Sequence, residues 1–252
     1  MLDHGVGVAH IVIKDIGLGR NSAIASIIHD VVRIAIQQSQ PTNELFNAIR
    51  HDYGEEVLGI VLALCKISDI KLKVSKEQAS DFRDMIVSYS EDPRVILIKL
   101  ADRLEVMRSL DIFPEAKRRT KSWESLNLYA QIAHKLGLYA IKSELEDLSL
   151  KYLETEAYNH IVHELKESEK ERMAFIEEFL KPIRELLDRD GLKYHIKSRT
   201  KSVYSIFQKM RKQKVSFKGV YDIFALRIII DCPVEREKAL CWTVYSHVAS
   251  LY

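Results

Sequence analysis

The amino-acid sequence predicts a mostly helical protein. It divides into an all-helical domain over residues 1–150, a helical connector over 151–185 and the first part of a mixed α/β domain over 186–252. Three observations predict this class. Apolar residues recur at the helical period through the first 150 residues, and the next segment is helical and rich in Glu and Lys. Beyond residue 186, alternating and β-branched runs predict strands between helices.

The N-terminal helices are separated by short polar breaks, namely "GLGRNS", "QSQPTN", "DYGEE" and "SEDP". Apolar residues at helical spacing predict a helix over 23–35, with Asn21 or Ser22 as its N-cap. The run "PRVILIKLADRLEVMRSL" (93–110) opens with Pro93 and is apolar on most of its circumference. Such a run is typical of a central, buried helix.

The C-terminal part alternates between strand and helix patterns. "LKYHIKS" (192–198) alternates as a strand does, "KSVYSIFQKMRKQ" (201–213) is helical, and "YDIFALRIIID" (221–231) is a β-branched strand. Strands interleaved with helices predict a second domain of mixed character.

Composition is that of an ordinary globular protein without a strongly charged surface. The 252 residues contain 38 Lys and Arg against 36 Asp and Glu, a net charge of +2, so we expect no direct nucleic-acid partner. The three cysteines are far apart and odd in number, which predicts reduced thiols in a cytoplasmic protein. No apolar stretch is long enough for a membrane helix, so we expect no membrane contact.

A His-Asp pair inside an apolar helix is the first sign of chemistry. His29 and Asp30 lie in "ASIIHDVVRIAI", where unsatisfied polar groups are costly. A metal ion satisfies such a pair, and further ligands must come from other helices. His4 and Asp102 are polar residues on apolar faces, so the four residues would supply two imidazoles and two carboxylates, a set that suits Mn²⁺, Fe²⁺ or Zn²⁺.

The alternative is that these four residues are satisfied core polar groups and helix caps. A lone His-Asp pair is a weak signal, and the chain contains a second pair, His51-Asp52, inside a polar turn where we expect it to be solvated. The residue pattern alone leaves both interpretations open.

A basic segment in the C-terminal part is the second sign. Arg199, Lys201 and Lys209 surround the start of a predicted helix, and Ser205 lies one turn before Lys209. Basic side chains at a helix N-terminus favour a phosphate site, although a solvated amphipathic helix has the same pattern. Asp222 opens the following strand as either a cap or a Mg²⁺ ligand. Arg227 lies among apolar residues of that strand and would need an anionic partner.

Longer stretches add a family resemblance. H…HD…D over a helical domain looks like the HD phosphohydrolase superfamily. "QASDFRDMIVSYSEDPRVILIKLADRLEVMRSL" (78–110) and "AHKLGLYAIKSELEDLSLKYLETEAY" (133–158) closely resemble the N-terminal region of the RelA/SpoT homologues, the enzymes of the alarmones ppGpp and pppGpp. The resemblance covers essentially the whole chain. It implies an all-helical HD domain that uses Mn²⁺ to remove the 3′-pyrophosphate of ppGpp, with His4, His29, Asp30 and Asp102 as metal ligands.

The same resemblance reveals departures from the hydrolysing members. Where the family has an acidic pair after the His-Asp motif, this chain has Arg33 and Ile34, and neither can accept a proton at working pH. Where the family has a His-Asn pair after the last metal-ligand Asp, this chain has Glu105 and Val106. The family's guanine-binding basic residues lie upstream of the first ligand His, before this chain begins. These departures predict a degenerate hydrolase domain.

The C-terminal part resembles the first portion of the family's synthetase domain, a nucleotidyltransferase-like fold. The resemblance implies that Arg199, Lys201, Ser205 and Lys209 bind the ATP donor and that Asp222 holds Mg²⁺. The reaction is transfer of the β,γ-pyrophosphoryl group of ATP to the 3′-hydroxyl of GTP or GDP. The family's later Glu strand and Tyr-bearing loop would follow residue 252, so we expect this chain alone not to synthesise ppGpp. Ribosome contact would also need domains beyond residue 252.

Three hypotheses follow for the first domain. It is a decayed hydrolase beside a synthetase, or an active hydrolase in which Glu105 or another acid replaces the acidic pair, or a regulatory module that binds nucleotide without turnover. The first and third are compatible with each other.

Overall fold

The computed structural model describes residues 2–69 and 92–252, and most of these residues are helical. Residues 78–91, the first part of a stretch that carries the family resemblance, lie outside the described residues. The chain divides into two compact units, Met1–Glu154 and Thr155–Tyr252. The predicted boundaries at 150 and 185 stay a prediction.

The first unit is all helical in its described part. Its helices are α1 (Leu2–Ile11), α2 (Arg20–Gln37), α3 (Asn43–Tyr53), α4 (Glu55–Asp69), α5 (Pro93–Arg108), α6 (Glu115–Glu124), α7 (Ala130–Lys135) and α8 (Tyr139–Leu153). Short π-helical segments follow α1 (Val12–Ile16) and α6 (Ser125–Tyr129), and a 3-10 turn (Leu110–Ile112) follows α5.

Helix α5 is the central helix of this unit, as its apolar circumference predicts. Ile98, Leu100 and Ala101 are fully buried, and they belong to the apolar cluster that α1, α2 and α4 also line. The helix begins with Asp92 as N-cap, whose side chain accepts a hydrogen bond from the backbone N–H of Arg94 at 2.9 Å. The carboxylate thereby satisfies a donor that the first helical turn leaves open.

Helix α2 forms where it is predicted, but its predicted N-cap is wrong. The helix begins at Arg20 and Gly19 is the N-cap, in an extended conformation. Asn21 is already helical, and its side chain donates to Glu56 Oε2 at 2.7 Å instead of capping the helix. Ser22 is buried within the helix.

The second unit pairs two strands with helices. Its elements are α9 (Thr155–Glu167), α10 (Glu169–Arg189), β1 (Tyr194–Thr200), α11 (Val203–Gln213), a 3-10 turn (Phe217–Gly219), β2 (Phe224–Ile230) and α12 (Val234–Leu251). The strands are antiparallel, with Tyr194 opposite Ile230 and Arg199 opposite Ala225. Apolar residues of one sheet face pack against α10 and α12. The buried residues of these two helices include Ile183 and Val244. Helices α9 and α10 lie in the segment predicted as a connector, and Ile161 and Ile176 from them are buried in this unit.

Helix α11 begins as predicted, with Ser202 as its N-cap; the Ser202 side chain accepts a hydrogen bond from the Ser205 N–H. Phe207 and Met210 pack in a small cluster with Ile161 and Phe217.

The positions predicted for Asp222 and Arg227 at strand β2 are wrong. Asp222 lies two residues before the strand and is exposed, so it does not open a buried strand. Arg227 lies on the exposed face of β2, opposite Lys197, because its apolar neighbours in sequence alternate to the other face. Water therefore solvates its charge. In the described part of the chain, no helix combines the length and hydropathy that crossing a bilayer requires.

Candidate functional site

The four residues predicted as metal ligands lie together in the first unit, and we name them the His-Asp cluster: His4 on α1, His29 and Asp30 on α2, and Asp102 on α5. His4 Nε2 is hydrogen-bonded to Asp102 Oδ1 at 2.9 Å and lies 3.8 Å from Asp30 Oδ2. His29 Nε2 lies 3.5 Å from Asp30 Oδ1. His29, Asp30 and Asp102 are buried. Residues nearly 100 positions apart in the chain therefore meet at one site.

Close packing of α1 on α2 brings His4 into the cluster. Gly5 is buried at the helix contact, and a Cβ there would lie 3.0 Å from both Cα and the carbonyl oxygen of Ile27. Only glycine allows two helix backbones to approach so closely without a shift. Val8 and Ile11 follow on α1 and are fully buried in the shared core.

The second nitrogen of His29 has a backbone partner. Nδ1 lies 2.8 Å from the carbonyl oxygen of Ser26, one turn earlier on α2, and a carbonyl can only accept. Nδ1 therefore carries the proton in the neutral ring, and Nε2, which is 3.5 Å from Asp30 Oδ1, carries the lone pair. A backbone acceptor on the outer nitrogen is the usual arrangement for a metal-ligating histidine.

Two cations contact the carboxylates of the cluster. Arg33 donates to Asp30 Oδ1 from Nη2 at 2.5 Å and from Nε at 3.1 Å. Lys99 donates to Asp102 Oδ2 at 2.6 Å. Each carboxylate thus has one oxygen on a cation and the other toward His4. Two positive and two negative charges balance when the histidines are neutral.

These contacts shift the pKa values of the cluster. Burial alone would raise the pKa of Asp102, but the Lys99 ammonium and the His4 hydrogen bond hold it well below its usual range. The hydrogen bond to Asp102 raises the pKa of His4 against an opposing effect of burial. Burial would lower the pKa of Lys99, and the charge of Asp102 raises it instead. The network therefore favours the ionised forms of both Asp102 and Lys99.

The cluster has the donor chemistry of a divalent-metal site but is closed by ion pairs. Two imidazoles and two carboxylates fit a first-row metal. Over residues 2–69 and 92–252, however, no three or more His, Cys, Asp and Glu side chains stand in an arrangement ready to hold a metal ion. Instead, His4 is bonded to Asp102, Lys99 to Asp102 and Arg33 to Asp30.

The residues expected in place of the acidic pair and the His-Asn pair lie on α2 and α5, the helices that carry Asp30 and Asp102. Arg33 is half-buried on Asp30, and Ile34 is a half-buried apolar residue of α2. A Cβ at Gly7 would overlap the Glu105 carboxylate, so Glu105 lies against α1 one turn after His4. The charge of Glu105 contributes to the raised pKa of His4. Val106 packs against the apolar core.

The second His-Asp pair is solvated, as predicted. His51 and Asp52 are exposed at the end of α3 and are bonded to each other at 2.8 Å.

Two of the predicted phosphate-site residues meet the predicted Mg²⁺ ligand in the second unit, and we name Lys201, Lys209 and Asp222 the lysine-aspartate cluster. Both ammonium groups donate to Asp222 Oδ2. They lower the pKa of Asp222 to about 2. Ser205 lies within the first turn of α11, and its hydroxyl is 2.8 Å from that of Ser202. Arg199 is exposed on β1, two residues before Lys201.

Sequence analysis missed Lys99. Its position three residues before Asp102 places both on one helix face, a signal that was available in the sequence. It also missed the half-buried pair of Arg103 and Glu124, joined at 3.0 Å, with the Arg103 guanidinium 4.2 Å from the Tyr129 ring centre.

Comparison with known proteins follows the same division of the chain. Residues 1–139 match the HD domain family, and residues 198–252 match the region found in RelA and SpoT proteins. The chain is 35% identical over 241 residues to a guanosine-3′,5′-bis(diphosphate) 3′-pyrophosphohydrolase of Aquifex aeolicus, which covers 95% of this chain and 33% of the relative. It is 36% identical over 243 residues to a GTP pyrophosphokinase of Myxococcus xanthus, covering 95% of this chain and 31% of that protein.

A third relative aligns over the full chain. The bifunctional (p)ppGpp synthase/hydrolase SpoT of Escherichia coli is 33% identical over 252 residues, which are 100% of this chain and 34% of that protein. The chain therefore spans about a third of the length of the curated relatives it matches.

Proposed function

Because this chain belongs to the HD domain family and to the RelA/SpoT proteins, we propose that it acts on the alarmones ppGpp and pppGpp of the stringent response. The proposed substrates are guanine nucleotides and ATP. We assign the HD domain to a decayed ppGpp 3′-pyrophosphohydrolase and the C-terminal unit to the donor side of an ATP:GTP/GDP pyrophosphotransferase.

For the HD domain we propose that His4, His29, Asp30 and Asp102 hold Mn²⁺. The convergence of the four side chains and the proton on His29 Nδ1 support this assignment. The metal, when bound, supplies Lewis acidity toward the substrate's phosphate oxygens. The residues of the chain supply orientation: Ser26 fixes the His29 ring, and Lys99 fixes the Asp102 carboxylate.

One observation carries the proposal that hydrolysis is lost. Arg33, which donates to Asp30, occupies a position where a hydrolase would need a carboxylate to accept a proton. Attack of water on a phosphate needs a group that accepts the water's proton. A guanidinium has no acceptor, and Ile34 has no polar atom. Asp30 and Asp102 are both held by cations.

An active hydrolase is the second candidate, and the position of Glu105 favours it. Its carboxylate lies against Gly7, one turn from His4, and so near enough to the cluster to raise the pKa of His4. In this alternative, Glu105 accepts the proton that the missing acidic pair would have taken.

The experiment is incubation of the chain with ppGpp and Mn²⁺, with released pyrophosphate as the readout. We expect no release above a sample without protein, and a Mn²⁺-dependent rise in the melting temperature. Release from the wild type overturns the decayed-hydrolase proposal. Glu105→Gln then identifies the base: loss of the release supports Glu105, and unchanged release excludes it. Glu44→Gln, an acid on the first turn of α3, is the matched control.

For the C-terminal unit we propose that Arg199, Lys201, Ser205 and Lys209 bind the phosphates of ATP and that Asp222 holds Mg²⁺. Support comes from the two ammonium groups that meet at Asp222. One of them belongs to Lys201, just before the start of α11, where anions are favoured. We expect Lys209→Gln to weaken binding of ATP with Mg²⁺ about tenfold, measured by calorimetry, while Lys212→Gln on the same helix leaves it within twofold. Equal affinities for the two variants would exclude Lys209 from the site.

A further inference from the structure

The contact between Arg33 and Asp30 blocks a particular part of the His-Asp cluster. Two guanidinium nitrogens of Arg33 donate to the same oxygen, Asp30 Oδ1, at 2.5 and 3.1 Å. That oxygen is the one 3.5 Å from His29 Nε2. The guanidinium therefore covers the carboxylate edge that faces the neighbouring imidazole, where a cation shared by His29 and Asp30 would have to bind.

The two cations of the cluster are not equivalent. Lys99 binds Asp102 Oδ2 and leaves Oδ1 directed at His4. Its side chain is 13% exposed, whereas that of Arg33 is 31% exposed. Each cation leaves one carboxylate oxygen directed at His4, but Arg33 also covers the Asp30 oxygen that lies near His29. Arg33 is the more exposed of the two cations, so it is the one that can leave.

The charge balance of the cluster explains why the position of Arg33 affects metal binding. With Arg33 and Lys99 in place, the two carboxylates are already neutralised. A divalent ion entering this half-buried site adds two positive charges close to the guanidinium, and repulsion between like charges is strong where water is partly excluded. Loss of the Arg33 charge leaves one carboxylate without its counter-ion and favours a metal in its place.

We propose that Arg33 is a built-in counter-cation that competes with the divalent metal for Asp30 and so weakens metal binding at the His-Asp cluster. The proposal rests on the metal site given under the proposed function. Metal binding requires Arg33 to leave Asp30 Oδ1, and the side chain is exposed enough to turn outward.

The test is calorimetric titration of the chelator-treated full chain with MnCl₂ at fixed pH and ionic strength. The variants are Arg33→Gln, which removes the charge but keeps a hydrogen-bond donor, and Arg33→Lys, which keeps the charge. The matched control is Arg184→Gln, because Arg184 is also ion-paired to a carboxylate, Glu177, at 2.7 Å but lies in the other unit. We expect Arg33→Gln to lower the Kd for Mn²⁺ at least about tenfold, and the other two variants to stay within about threefold of the wild type.

The outcomes separate this proposal from the metal site itself. Binding by the wild type and Arg33→Gln with equal Kd overturns the counter-cation proposal and leaves the metal site standing. Absence of binding by every variant overturns both. The Mn²⁺-induced shift in melting temperature is a second readout, since a destabilised Arg33→Gln protein that still gains more from Mn²⁺ than the wild type supports the competition.

Discussion

The His-Asp cluster and the lysine-aspartate cluster use the same ion pairs in opposite surroundings. In each, amino or guanidinium groups hold a carboxylate in its ionised form. Asp102 and Lys99 have side chains 13% exposed, whereas the Asp222 side chain is 53% exposed. Burial opposes ionisation at Asp102 and the ion pair overcomes it. At Asp222, the two lysines lower the pKa with little opposition.

This difference in burial determines whether loss of an ion pair affects protein stability or ligand binding. A buried charge that loses its partner is an uncompensated charge in a medium that solvates it poorly. An exposed charge that loses its partner is solvated by water, and exposed ion pairs contribute little to stability. We therefore expect changes in the first cluster to act on folding and changes in the second to act mainly on ligand binding.

The largest expected effect is that of Asp102→Asn. It leaves Lys99 against an amide and should cost about 3 kcal/mol or more of unfolding free energy. Asp222→Asn should leave the unfolding free energy nearly unchanged, because the exposed lysines are solvated without it. Urea unfolding followed by tryptophan fluorescence measures each, because the two tryptophans, Trp123 and Trp242, lie one in each unit. Equal losses of unfolding free energy in the two variants would show that burial does not set the cost of removing the carboxylate charge.

A smaller effect tests the packing that brings His4 into its cluster. Gly5→Ala forces α1 and α2 apart by a few tenths of an ångström, and overpacking of this kind costs about 1–3 kcal/mol. Gly59→Ala is the matched control, since a Cβ at this helical position meets nothing within 4 Å. There we expect a gain of about 0.5–1 kcal/mol from helix propensity. A gain at Gly5 as well, seen in the melting temperature, would show that close packing is not required.

Helix caps should behave alike in both units, because capping is local. Asp92→Ala and Ser202→Ala should each cost about 1 kcal/mol. They differ in pH dependence. The Arg94 guanidinium lowers the pKa of Asp92, so its contribution is present above the unfolded value of 3.8 and is lost as pH falls through the lower folded value.

Urea unfolding at pH 7 and pH 3 measures this difference. The cost of Asp92→Ala should shrink at the lower pH, and that of Ser202→Ala should not. A pH-independent cost at Asp92 would mean that its charge does not contribute to the cap.

The smallest expected effect on stability is at Asp222, where the pKa of the carboxyl group should change instead. Its pKa of about 2 should rise toward the ordinary value of 3.8 when Lys201 and Lys209 are both replaced by Met. Carboxyl chemical shifts followed by NMR titration measure it. Replacement of Lys212 and Lys214 by Met serves as the control and should leave the Asp222 pKa in place. A low pKa that survives loss of both cluster lysines would exclude them as its cause.

The sequence by itself determined the local elements and the chemical identity of the candidate site. Helical periodicity located α2 and α5, and β-branched alternation located β2, because these patterns reflect backbone hydrogen bonding and one apolar face. It also identified His4, His29, Asp30 and Asp102 as one constellation.

Only the tertiary structure decided how those groups bond. The i, i+3 spacing of Arg33 after Asp30 allows contact but does not say which oxygen is covered. His4 lies 3.8 Å from Asp30 on α2, where Gly5 allows α1 and α2 to pack closely. Asp222 was misplaced because burial beside a strand end depends on which elements pack there, and Arg227 because only one face of β2 is packed. Contacts across helices come from the sum of many packing interactions over the whole unit, and no local stretch of sequence contains that sum.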